Sequence, residues 1–545
     1  MKPGRHITVK WFRDPKVVLP LLVLLTIFLR LPTMADVNCD PDLAGMCYSG
    51  TGLLDGYLPY RDSTESKPPG AFFLVAAATA IGGRNFVAIH ALAILFHIVS
   101  LLLIYLIAKR IWQSEIGLLA GYFYATYSVL ERILGLCPNY ETWALPFLLG
   151  ALLCSIEAAE NDSNTDVIFA AGALSSLAMQ VKFQAVFVVF ALFVGLMITR
   201  RKSVATALRT LIFFAIGGVV AVVPLVVFFA VKGGLSDMLH AFSPVRSVEY
   251  AEENRFVLFA DFLPDVARGF FGHAPMLITS AAIGFAIVVY EIGARHSKRR
   301  NGEILFLLFS VASVAMVFFF KGLFSAGHFA YHYYLFLVPS LALFAGRFVI
   351  FIVSKIPDRT RLVVVLVVVG AVIARFMPYV AWGEGAAVSL AYEKTAAPIF
   401  AQYDRLTKMD HEILGPLGDY LKRNTDSEDT IFVWDYIPAV YCHAERRAPS
   451  RHYKYWQVVT TDEWGHFFDN EHPVVKRERE ALMADLSEHP PKYIVAYRYP
   501  FDIRRPTPTE KQPFFPTLAE FVHQHYKRIP MLPWEAVDVY RLDEN

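Results

Sequence analysis

Cysteine is scarce in this sequence: five in 545 residues are too few for a disulfide framework, which excludes the small disulfide-stapled class of fold. Net charge is missing as well. Lysine and arginine number 51 against 49 aspartates and glutamates, a formal charge of +2. So near a balance gives no reason to expect a nucleic-acid partner, and the placement of charge matters more than its sum. There is no internal repeat and no low-complexity tract, which weakens a reading as a transporter built from repeats. After the first apolar run, Val17 to Leu31, no small-residue cleavage site follows. The run therefore reads as a retained span, not a cleaved signal peptide.

What the sequence has in abundance is apolar surface. Residues of the apolar class make up 55% of the chain and aromatics 14%, and runs near 20 residues recur, so the class is a polytopic α-helical membrane protein. Eleven spans are expected, near 17–31, 86–108, 114–130, 143–159, 166–181, 184–199, 210–231, 276–294, 303–320, 333–353 and 362–380. With the amino terminus cytoplasmic, the strongly basic short loops fall on one side: Lys109 and Arg110; Arg200, Arg201, Lys202 and Arg209; Arg295, Lys298, Arg299 and Arg300; Lys355, Arg359 and Arg361. Residues 1–380 then form the transmembrane part. Outside it lie the loop 33–69, a short segment 70–83 lying along the interface or re-entering, the loop 232–275, and the tail 381–545. That tail is rich in charge, proline, tyrosine and histidine. It carries two β-like runs, IFVW at 431–434 and YIVAY at 493–497, and reads as a soluble α/β domain on the outer face.

The first outer loop holds the most chemistry. Asp36, Asp40 and Asp42 fall within seven residues just past span one, where carboxylates at the lipid boundary are expensive unless they face water, a cation or a partner charge. Tyr60, Arg61, Asp62, Glu65 and Lys67 follow, and Pro68 and Pro69 then stiffen the backbone. An ordinary solvated loop would also tolerate the aspartates. The lysine mounted against two prolines tips the reading towards group transfer from an anionic lipid headgroup.

An aspartate after span one, then LLDGYLPYRD at 53–62, then KPPG at 67–70, resembles the GT-C superfamily of polyprenyl-phosphate-sugar-dependent glycosyltransferases. The nearest branches are protein O-mannosyltransferases and lipid A aminoarabinose transferases. CPNYETWALPF at 137–147, AGALSSLAMQVKF at 171–183, HFAYHYYLFLVPSLALFAG at 328–346, DTIFVWDYIPAVY at 429–441 and PPKYIVAY at 490–497 extend the likeness over most of the chain. The resemblance implies an enzyme of the bacterial inner membrane, its carboxy-terminal domain periplasmic. It would move a sugar from a polyprenyl-phosphate donor to a protein, lipid or glycan acceptor. Asp42 falls where the family's general base stands, with Asp40 a close competitor and Leu43 where many relatives carry glutamate. Lys67 matches the donor-phosphate lysine, with Arg61 as a second cation. Glu141 falls in the second outer loop where relatives place an acid, and Glu65 is another candidate for that part.

Elementary chemistry supports such a site. A sugar leaving a polyprenyl phosphate puts negative charge on the phosphate oxygens, and a fixed cation stabilises it. His328, His332, Tyr333 and Tyr334 open span ten and are phosphate or sugar contacts, or else interfacial anchors. Lys182, between two apolar runs with Gln184, reads as snorkelling to the headgroups. Asp40 and Asp42 also have the spacing of a carboxylate pair on a divalent cation. A singly charged phosphodiester has less need of one, so no cofactor is required. Cys39 and Cys47 either bridge or stay free. The rival classes are a flippase, expected to bury charge in mid-span along a pathway, and a non-catalytic subunit that only holds lipid-linked sugar.

Overall fold

The computed structural model describes residues 14–130, 133–161, 164–200, 203–242, 274–294, 300–324, 331–357, 407–435, 437–454, 473–497, 515–529 and 537–543, with isolated positions between 363 and 370. In chain order the α-helices described up to residue 355 are α1 Pro15–Phe28, α2 Pro41–Leu54, α3 Gly70–Gly82, α4 Phe86–Ile111, α5 Ser114–Tyr127, α6 Tyr140–Glu160, α7 Thr165–Val181, α8 Val186–Thr199, α9 Val204–Val231, α10 Leu235–Ala241, α11 Pro275–Gly293, α12 Arg300–Phe324 and α13 Val338–Lys355. Their starts are written in the sequence. Asp14, Asn85, Asn164 and Ser203 each turn a side-chain oxygen onto a backbone N–H two or three residues on, capping α1, α4, α7 and α9.

Among the described residues α4, α6, α9, α11, α12 and α13 are long and apolar enough to cross a membrane. The expected spans at 17–31, 114–130, 166–181 and 184–199 are occupied by shorter helices, and 362–380 lies almost wholly outside the described residues. The segment expected at 70–83 is the 13-residue helix α3. Burial sorts the bundle radially. α6 is enclosed along most of its length, with Trp143, Leu149 and Leu152 fully buried. α9 leaves Val219 57%, Val227 51% and Val231 78% exposed, an apolar flank suited to lipid and not to water.

Lipid supplies no hydrophobic drive between helices, so close backbone approach matters. α7 and α9 achieve it at facing glycines: a Cβ on Gly172 would run into the Phe214 carbonyl, and one on Gly217 into the Phe169 carbonyl.

The later residues build a four-stranded sheet in the order β1 Ile431–Trp434, β2 Tyr493–Ala496, β4 Asp538–Leu542, β3 Tyr526–Arg528. β1 and β2 run parallel and the other neighbours antiparallel. Alternation divides each strand between two cores. Ile431, Val433, Tyr493 and Val495 face Leu417, Val440 and, from α2, Ala44 and Tyr48. Phe432, Trp434, Ile494 and Ala496 face Leu482, Leu486, Leu518 and Val522. The sheet is thus packed onto α2. Tyr48 stacks on Tyr453 at 4.0 Å between ring centroids, the Arg447 guanidinium donates to the Tyr48 carbonyl at 2.6 Å, and it pairs with Asp55 at 2.8 Å. The expected boundary at 380/381 lies outside the described residues.

Gly172→Leu should part α7 from α9. Overpacking of this kind costs about 1–3 kcal/mol, so the thermal midpoint of the detergent-solubilised protein should fall by several degrees, while Val219→Leu on the exposed flank should leave it within error.

Candidate functional site

The start of α2 is where the first loop becomes chemistry. Asp40 is the N-cap, its Oδ1 accepting from the Asp42 backbone N–H at 2.8 Å, and Pro41 occupies the first turn. Asp42 thus stands in the first turn of a helix with a stiffened start, and both carboxylates are half-buried.

Their environments drive them apart. Burial first, then the neighbouring Asp42 charge, pushes the Asp40 carboxyl up to about 7. Burial opposes ionisation of Asp42 too, but Lys67, then His332, Lys182 and Lys454, outweigh it and hold that carboxyl below the usual range. Burial also pushes the His332 imidazole down to about 4. His332 is therefore charged only in acid, and at neutral pH the lysines carry the support.

Lys67 is placed by its neighbours. The Tyr60 hydroxyl donates to the Lys67 carbonyl oxygen at 2.8 Å, and the Tyr60 ring is packed among Phe72, Phe229 and Phe242. Pro69 caps α3, and Gly70 lets the box press against the end of α7, since a Cβ there would sit 2.6 Å from the Gln180 carbonyl oxygen. The KPPG loop is thereby set beside the end of α7, where Lys182 stands. The Lys67 ammonium lies 5.8 Å from the centre of the Tyr140 ring, and Lys182 lies 5.5 Å from the same centre.

Lys182 does not snorkel. Its side chain is 1% exposed and pairs at 2.5 Å with Glu141, which is fully buried as the second residue of α6. The Tyr333 ring covers it, 4.1 Å from ammonium to centroid, and His332, stacked on Tyr333, brings its Nε2 to 3.8 Å from the same Glu141 oxygen. A charge that would be costly alone is closed in by an opposite charge and aromatic faces instead of reaching headgroups.

Not every expected residue joins this cluster. Arg61 is turned aside, gripping Asp62 at 2.7 and 2.8 Å with a side chain 42% exposed. Glu65 is buried in a neighbouring knot: it accepts from Ser49 at 3.1 Å and from Tyr453, and both its oxygens take Lys454 at 3.1 Å. Its lone pairs are occupied by the chain itself. His328 lies outside the described residues, and Tyr334 is fully buried. Asp36 accepts from the Phe86 N–H at 2.7 Å and so steadies the start of α4. Lys454, Tyr453 and Tyr140 are additions that the sequence did not flag. Among the described residues no group of three His, Cys, Asp or Glu side chains is set to hold a metal ion.

Residues 66–228 match the family model described as dolichyl-phosphate-mannose-protein mannosyltransferase. Among solved structures, the chain is similar to ArnT from Cupriavidus metallidurans bound to undecaprenyl phosphate, at a TM-score of 0.58 and 13% identity, covering 96% of this chain and 97% of that one. It is also similar to the Archaeoglobus fulgidus oligosaccharyltransferase in the apo form, at 0.50 and 12% identity, over 91% of this chain and 70% of that one. No curated protein matches the sequence. The likeness to these solved structures is one of fold, a multi-pass helical membrane architecture.

Two outcomes test the electrostatics. Removing one partner of a buried pair typically costs about 3–5 kcal/mol, so Glu141→Gln or Lys182→Met alone should lower the unfolding midpoint sharply, and the double variant should recover most of the loss in a double-mutant cycle. Because the folded Asp40 carboxyl is raised above its unfolded value near 3.8, the folded state holds the extra proton and stability falls as pH rises through that window towards 7. Asp40→Asn should flatten this fall in a pH series of thermal midpoints.

Proposed function

We propose that the protein transfers a sugar from a polyprenyl-phosphate donor to an acceptor hydroxyl or amine at the outer face of the cytoplasmic membrane, by a single displacement that inverts the anomeric carbon. The observation that carries this reading is the convergence of Asp42, Lys67, Lys182, Glu141 and His332 at one end of the apolar bundle, beside the KPPG box. The family-model match over 66–228 and the fold shared with a polyprenyl-phosphate-bound ArnT point the same way.

Asp42, held ionised by the lysines, takes the acceptor proton as the nucleophile attacks. The departing polyprenyl phosphate gains charge, and Lys67 meets it; the half-buried setting strengthens that attraction relative to open water. Glu141 balances Lys182, so Lys67 is the cation left to the donor. Asp40, with its proton still partly bound near neutrality, caps the helix that aims Asp42. Positive charge is supplied by side chains, so the reaction needs no divalent cation. The donor's tail stays in lipid against the bundle, which is why a site at the membrane edge suits it. The amino terminus is cytoplasmic in this reading, the start of α2 and the sheet are periplasmic, and the membrane is the bacterial inner one.

Asp42→Asn should lower transfer from a polyprenyl-phosphate sugar about 10²- to 10⁴-fold, the usual worth of general-base help, while donor binding persists. Lys67→Met should weaken donor binding itself. Both are read with labelled lipid donor in proteoliposomes, by product formation and by donor retention, with excess EDTA leaving wild-type transfer intact. Full transfer by Asp42→Asn would remove Asp42 as the base, whereas donor retention without any transfer by the wild-type protein would remove the enzyme reading and leave a binding subunit.

A further inference from the structure

Four of the five cysteines meet in pairs that chain order does not suggest. Cys39, on the approach to α2, lies against Cys137, just ahead of α6: the Cys137 thiol donates to the Cys39 carbonyl oxygen at 3.5 Å, and the two thiols are within hydrogen-bond reach of one another. Cys47, two turns into α2, lies against Cys442 in the short helix Ala439–Ala444. There the Cys442 thiol donates to the Ala44 carbonyl oxygen at 3.5 Å and reaches the Cys47 thiol. Cys154 sits far along α6, apart from both. All five are free thiols in this structure. Sequence spacing offers Cys39 with Cys47; the fold gives each a different neighbour, because the extended approach to α2 turns Cys39 towards α6 while the helix turns Cys47 towards the sheet.

Buried cysteine is often just a small apolar residue. Two separate pairs, each joining segments far apart in the chain and both on the face proposed above to be non-cytoplasmic, need more than that. We infer that Cys39 and Cys137 form one disulfide and Cys47 and Cys442 a second. In each, two S–H bonds break and one S–S bond forms; two electrons and two protons pass to a disulfide-bearing thiol oxidant, which leaves as the dithiol. Burial pushes the Cys39, Cys137 and Cys442 thiols above their ordinary range, so thiolate is scarce once the fold has closed and the bridges form during folding. The first bridge ties the residue before Asp40 to a point four residues before Glu141. The second ties α2 to the segment that delivers Arg447, Tyr453 and Lys454. Together they fasten the three pieces of chain that make the site.

The inference rests on the topology proposed above, and the test separates the two. Native membranes are acid-quenched, denatured, and labelled with a mass-tagged maleimide before and after reduction. One tag is expected without reductant, on Cys154, and five after it, with linked peptides 39–137 and 47–442 in the unreduced digest. More than one tag without reductant, or a linked peptide joining Cys39 to Cys47, overturns the pairing. Transfer measured on the same membranes distinguishes failures: free thiols with Asp42-dependent transfer sink the bridges alone, whereas linked peptides without transfer sink the enzyme reading alone.

Discussion

A buried ion pair governs the rest. Glu141 and Lys182 stand at the facing ends of α6 and α7, away from water, where either charge alone would be costly. Each is tolerable only while the other is in place, so the ends of the two helices are fixed to each other. Around that fixed point the sequence has set rings rather than more charge. Tyr140 and Tyr333 present their faces to the lysine, and burial keeps His332 uncharged near neutrality. The outcome is a buried floor beside Lys67 and Asp42, the two groups to which the proposed function gives the donor phosphate and the acceptor proton.

That floor explains the construction of the first loop. Two prolines after Lys67 and a glycine as the first residue of α3 would be a poor start for a helix in isolation. Here the glycine lets the loop touch the end of α7, and the prolines hold the lysine where the contact puts it. The other half of the loop is held from the opposite side: Arg447, Tyr453 and Lys454 come from the sheet region and close on Tyr48, Asp55 and Glu65. α2 is thus shared by two cores, and its first turn, bearing Asp40 and Asp42, is fixed from both.

Much of this was legible in the sequence, and what was not had a physical reason. Apolar runs and caps such as Asn85 and Ser203 are local signals, so the helices could be read. IFVW and YIVA alternate into two apolar cores, so β1 and β2 could be read too. β3 and β4 could not: YKR exposes two of its three residues, and DVYRL is half polar. Lys67 was legible because KPPG is a contiguous motif. Lys182 misled, since a lysine between two apolar runs has the same local pattern whether it reaches headgroups or a buried glutamate 41 residues earlier. Lys454 carries no local signal at all; only the packing of the sheet on α2 brings it to Glu65.

The distribution of buried charge also weighs transport against transfer. A pathway through the bilayer would need polar groups in mid-helix and open to one another. Among the described residues, Glu141, Lys182, Arg200 and Glu303 all sit at or just past helix ends. Arg200 is tied to Thr210 at 3.1 Å and to the Asn161 carbonyl oxygen at 3.0 Å. Deeper in the bundle, Arg347 is paired with Glu291, and His97 bonds the Tyr124 hydroxyl at 2.8 Å. Among the described residues these are closed partnerships between neighbouring helices, which brace the bundle. In the transfer proposed above, the start of α2 is where a lipid-borne phosphate would meet Asp42 as base and Lys67 as cation.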